Sequence, residues 1–71
     1  MASLTAEQWD AIDGRILAGD ILGAIKLIRA ACGCGINDAK GIHIDRYRRL
    51  RAERGAEFKK TDDEYWRGVY G

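Results

Sequence analysis

The chain has 71 residues, two Cys, one His, no Pro and a formal net charge of +1. A chain this short forms a single domain, residues 1–71, whose core is too small to enclose a separate catalytic cleft. Its cysteine and histidine counts argue against a disulfide scaffold and a four-ligand zinc site, and its near-neutral balance argues against a generally cationic nucleic-acid binder.

Charge is uneven along the chain. Residues 1–39 sum to −2, residues 40–54 to +4 and residues 55–71 to −1. The cationic segment holds Lys40, Arg46, Arg48, Arg49, Arg51 and Arg54. No apolar run approaches the ~18 residues that cross a bilayer, so no membrane partner is expected. No secretory signal is visible, and two thiols read as free point to the cytoplasm of a bacterial cell.

The first helix opens at Thr5, an N-cap whose capping-box partner is Gln8. Leu4 and Trp9 have the spacing of a hydrophobic staple around that cap. Trp9, Ile12 and Ile16 fall on one helical face, and Gly19 is the expected left-handed terminator. Asp20 caps a second helix. Ile21, Ile25, Ile28 and Cys32 form its stripe, widened by Ala24, Leu27 and Ala31, and Gly33 ends it. Gly23 and Ala30 place small side chains on another face of this helix.

A third helix is expected to start after Asn37 and to run to Arg54, with Gly55 as its C-cap. Its core stripe is Ala39, Ile42, His43, Tyr47 and Leu50. At ~100° per residue, Ile44 falls off that stripe beside Arg48 and Arg51, with Tyr47 and Lys40 at the margin. Residues 56–60 read as a connector anchored by Phe58. Thr61 and Glu64 form a second capping box, which opens a short helix through Tyr65, Trp66 and Val69. No segment alternates with the period of a strand. The expected fold is all-α: three helices with a helix-turn-helix-like hairpin and a short C-terminal helix, forming a homodimer.

Little in the chain supports catalysis. Cys32 and Cys34 read as small buried hydrophobes at a helix end, because a bond across so short a loop would be strained. His43 reads as a core residue, with no nucleophile at helical spacing to it. Asp62, Asp63 and Glu64 are explained by the dipole of the helix that they open. Gly33 and Gly35 follow a helix, where a phosphate-binding loop follows a strand. Neither a catalytic residue, a metal nor a cofactor is expected.

One run carries a resemblance. Ile25, Lys26, Arg29, Gly33, Gly35, Ile36, Asp38, Ala39 and Lys40 match an Ile-Lys pair, an Arg, a Gly-x-Gly turn and an apolar-x-acidic-Ala-Lys sequence. In this, residues 23–40 resemble the helical hairpin of the bacterial ribosomal stalk protein's C-terminal domain. That resemblance implies that Lys26, Arg29 and Lys40 contact a translational GTPase. The family's domain is α/β, whereas helical sequence flanks the hairpin here. The Trp-Asp-x-Ile-Asp start (Trp9 to Asp13) and the Glu-Tyr-Trp-x-Gly end (Glu64 to Gly68) make the whole chain similar in size and style to the small anti-quorum-sensing proteins of Pseudomonas phages. That likeness implies a helical dimer that blocks a host transcription regulator and a pilus assembly ATPase.

The reading expected from these features is a non-enzymatic protein-interaction module, a phage-type inhibitor of a bacterial host protein. Its partner-binding residues are Lys26, Arg29, Lys40, Ile44, Tyr47, Arg48 and Arg51, since Arg and Tyr are favoured at interface hot spots. Two alternatives stand beside it: a helix-turn-helix DNA-binding regulator, using the cations of residues 40–54, and a translation-factor-binding module.

Overall fold

The computed structural model describes residues 4–67. Four α-helices follow one another: α1 (Ala6–Leu17), α2 (Ile21–Cys32), α3 (Ile36–Arg54) and α4 (Asp62–Trp66), with a 3-10 turn at Gly55–Glu57 between the last two. Among the described residues there is no strand, as expected for an all-α chain.

The caps form where the side chains call for them. The Thr5 hydroxyl accepts from the Gln8 backbone N–H at 3.1 Å, and the Gln8 side chain accepts from the Thr5 N–H at 2.8 Å. Thr61 and Glu64 repeat this arrangement at α4. The bonds from Thr61 hold the Glu64 carboxyl below the usual glutamate range. The Asp20 carboxylate accepts from the Gly23 N–H at 3.0 Å and opens α2. Gly19 and Gly33 take positive φ, at 82° and 66°, and turn the chain out of α1 and α2.

Helix α3 departs from the sequence expectation at both ends. It begins at Ile36, with Gly35 as N-cap and no side-chain cap hydrogen bond. Gly35 is already extended and its carbonyl accepts from the Ala39 N–H at 3.0 Å, so the backbone opens the helix before Asn37 can cap it. At the far end Gly55 stays right-handed, and the chain tightens into the 3-10 turn. Arg54 clamps Glu57 there through two bonds of 2.7 and 2.8 Å. α4 ends at Trp66, and Val69 lies outside the described residues.

Helix α2 packs against both α1 and α3, as its wide apolar arc requires. Ile12 and Ile16 of α1 meet Ile21, Ala24, Ile25 and Ile28 of α2, with Ala39, Tyr47 and Leu50 of α3 and Tyr65 of α4 closing the core. Burying each isoleucine contributes about 2 kcal/mol. Ile42, Trp9 and Phe58 are half-buried around it. The connector is pinned back onto the first turn of the chain. The Lys59 N–H donates to the Leu17 carbonyl at 3.0 Å, and the Lys60 stem covers Gly19. That contact directs residues 61–66 across α3.

Two polar groups go into this core. Asp13 is buried and accepts two bonds from Arg46, at 2.8 and 2.7 Å. Arg46 also lies over the Trp9 ring, 4.4 Å from its centroid. His43 is fully buried.

The cysteines correct the sequence expectation. Cys32 and Cys34 are joined by a disulfide and are not free thiols. The left-handed Gly33 reverses the chain between them and brings their Cα atoms to 5.4 Å, well within the span of a disulfide.

Candidate interaction surface

Helix α4 is one and a half turns long, yet it organises an aromatic cluster against α3. The Tyr47 ring lies 4.4 Å from Tyr65, 4.7 Å from Trp66 and 5.4 Å from Phe58, centroid to centroid. His43 stacks on Tyr65, and its Nε2 lies 2.7 Å from the Tyr65 hydroxyl. Its Nδ1 is buried with no hydrogen-bond partner among the described residues. Burial pushes the His43 pKa down from 6.5 to about 4, so the ring is neutral at neutral pH.

The Tyr47 hydroxyl is the polar centre of the cluster. It donates to Asp62 at 2.5 Å and accepts from Arg51 at 2.7 Å. Burial first, and the Asp62 bond second, hold its pKa above the usual tyrosine value, with Arg51 opposing. The Arg51 guanidinium lies 3.8 Å from the Phe58 centroid and also donates to the Lys60 carbonyl at 3.2 Å. Arg51 thus ties the connector to α3.

A groove of about 420 Å³ opens beside this cluster, lined by Ile44, Tyr47, Arg48, Asp62 and Trp66. Ile44 and Trp66 are half-buried, and Arg48 is exposed. The lining of the groove combines apolar side chains, Ile44 and Trp66, with a cation from α3 and a carboxylate from α4. Among the described residues Arg48 has no ion-pair partner.

The seven residues singled out from the sequence divide accordingly. Ile44, Tyr47 and Arg48 come together at the groove. Tyr47 is buried, at 3% exposure, so little of it is open to a partner. Arg51 is turned onto Phe58. Lys26, Arg29 and Lys40 are exposed but do not line the groove. Sequence reasoning missed Asp62 and Trp66 as groove residues. Their capping box was legible, but the fold of the connector that carries α4 onto α3 was not.

The cationic segment is largely engaged within the fold. Arg46 pairs with Asp13, Arg49 with Glu53 at 3.0 Å and Arg54 with Glu57 at 2.7 Å, while Arg51 is held by Tyr47. The bond to Asp13 raises the Arg46 pKa further, and the bond to Glu57 does the same for Arg54. Among the described residues no group of three or more His, Cys, Asp or Glu could hold a metal ion, and no helix is long and apolar enough to cross a membrane.

No family model, curated protein or solved structure matches this chain. The likeness of residues 23–40 to the stalk hairpin therefore rests on its motif alone, and the likeness to the phage proteins on size and style.

Proposed function

We propose that this chain is a non-enzymatic protein-interaction module, and that the groove between α3 and α4 receives a side chain of its partner. The observation that carries the reading is the meeting, in one groove, of the apolar Ile44 and Trp66 with Arg48, which has no ion-pair partner among the described residues. Such a site suits a helical partner segment that presents one apolar anchor beside an acidic residue. The phage resemblance adds a partner class: a bacterial transcription regulator, with a pilus assembly ATPase as a second target, blocked by occupation of its surface in the host cytoplasm. The same resemblance, together with the exposure of Leu22 (69%) and Ile36 (44%), supports a homodimer.

The DNA-binding alternative has less support. Arg46, Arg49, Arg51 and Arg54 are engaged within the fold, and a recognition helix reads bases with its N-terminal residues, here Ile36, Asn37 and Asp38. The translation-factor alternative draws on Lys26, Arg29 and Lys40, which stand apart from the groove.

A matched pair of variants tests the proposal. Ile44→Asp is expected to keep the helical circular dichroism of the parent and to lose its protein partner. Arg54→Ala, remote from the groove, is expected to keep both. A folded Ile44→Asp that still binds refutes the groove as the site, and an unfolded one makes Ile44 a core residue.

A further inference from the structure

The α2–α3 turn carries chemistry that the proposed interaction surface does not use. Cys32 is the last residue of α2, and Cys34 stands one residue before Gly35, the N-cap of α3. They are the only cysteines in the chain, and they are bonded to each other.

This bond is badly placed for a structural staple. A disulfide restricts the unfolded chain more the longer the loop that it closes, and here the bonded residues are only two apart. The turn also has other fastenings. The Gly33 N–H donates to the Arg29 carbonyl at 2.8 Å, and the Ala39 N–H to the Gly35 carbonyl at 3.0 Å. Both cysteines pack against the edge of the core and are only half-buried, while Gly33 and Gly35 are exposed. Beyond each glycine's own chain neighbours, no atom lies within 4 Å of where its Cβ would stand, so the turn that carries the bond is open to solvent.

The two ends of the bond sit in opposite fields. Cys32 lies at the C-terminus of α2, among carbonyl oxygens that disfavour a negative sulfur. Cys34 lies at the N-terminus of the 19-residue α3, whose first-turn amides have no side-chain cap. The field of α3 favours a thiolate there.

We propose that Cys32 and Cys34 are a reversible dithiol–disulfide couple that exchanges with small monothiols of the glutathione class, with Cys34 as the sulfur that leaves. In the reducing direction a glutathione thiolate attacks Cys32 Sγ. The protein disulfide breaks, a glutathione–Cys32 disulfide forms, and the electron pair departs on Cys34 Sγ as thiolate. A second glutathione thiolate then attacks the glutathione sulfur of this mixed disulfide, and Cys32 leaves as thiolate. The protons lost by the two glutathiones reach the two protein thiolates through water. The protein disulfide is reduced to two thiols, and two glutathiones are oxidised to one glutathione disulfide. In the oxidising direction Cys32 thiolate attacks glutathione disulfide and releases one glutathione thiolate, and Cys34 thiolate then attacks Cys32 Sγ, closing the protein disulfide as the second glutathione thiolate leaves.

The test uses the full chain, equilibrated without oxygen in mixtures of reduced and oxidised glutathione, quenched with acid and labelled with a maleimide of high mass. The expected result is a smooth passage from unlabelled to doubly labelled protein as the reduced fraction rises. A chain that stays fully oxidised, or fully reduced, in every mixture overturns the couple. The order of the sulfurs is read on the reduced parent with substoichiometric iodoacetamide at pH 7, by fragmenting the tryptic peptide 30–40. Cys34 is expected to be alkylated about tenfold faster than Cys32. Equal labelling, or faster labelling of Cys32, overturns the assignment of Cys34 as leaving group.

Discussion

His43 should make this fold acid-labile in a narrow window. Its ring is fully buried, with Nε2 on the Tyr65 hydroxyl and Nδ1 facing no partner among the described residues. Protonation would bury a charge, and so the pKa is lowered from 6.5 to about 4 in the folded chain. Above pH 6.5 the ring is neutral both folded and unfolded, and its full contribution is present. Below that, the unfolded chain takes up a proton that the folded chain refuses, and stability falls by about 1.4 kcal/mol per pH unit. The loss ends near pH 4, where the folded chain also titrates, and it totals roughly 3 kcal/mol. A domain of this size has about 4–10 kcal/mol in all, so this one ring takes a third or more of it. The assay is urea unfolding at several pH values between 7.5 and 4.5, comparing the parent with His43→Phe. The parent should lose stability more steeply than the variant between pH 6 and 4.5. Since His43 is the only imidazole in the chain, its ring proton shifts read the same quantity in the folded state. Parallel stability profiles, or a ring that titrates near 6.5 while the chain is folded, would refute the reasoning.

Further perturbations follow from the same contacts. Asp13→Ala leaves Arg46 facing a half-closed site over Trp9 and should cost about 3 kcal/mol in urea unfolding, more than the sum of the two surface pairs at Arg49 and Arg54. Gly14→Ala and Gly41→Ala meet open space within helices and should each raise stability by up to about 1 kcal/mol. Gly23→Ala should instead lower the melting temperature, because its Cβ runs into the Asp20 carboxylate that caps α2. If the chain is a homodimer, the melting temperature falls on dilution, and a concentration-independent melt removes the dimer from the account.

The elements were legible because the signals are local. Thr5 with Gln8, Asp20, Gly19, Gly33 and Thr61 with Glu64 each act within four residues, and each is found in its expected role. The core stripe of α3 was legible for the same reason: Ala39, His43, Tyr47 and Leu50 are buried at helical spacing. What was hidden depends on distant pairing. Arg46 and Asp13 are 33 residues apart, and nothing local separates that arginine from its exposed neighbours. Arg51 was read as a surface cation because its partners, Phe58 and the Lys60 carbonyl, lie beyond the helix end. The groove needs α4 laid on α3, which follows from Lys59 bonding to Leu17, a contact across the whole bundle. At the α2–α3 turn the reading failed on backbone geometry. One left-handed glycine reverses the chain and brings together two sulfurs that were expected to stay apart.

The proposal that this chain works by binding another protein at the α3–α4 groove is tested most directly by affinity capture. Tagged parent, Ile44→Asp and Arg54→Ala would each be passed over nuclease-treated bacterial lysate, and the bound proteins quantified by mass spectrometry. The account predicts one stoichiometric protein held by the parent and by Arg54→Ala, and lost by a folded Ile44→Asp. Nucleic acid co-purifying once the nuclease is omitted, with no protein retained by any of the three, would contradict it.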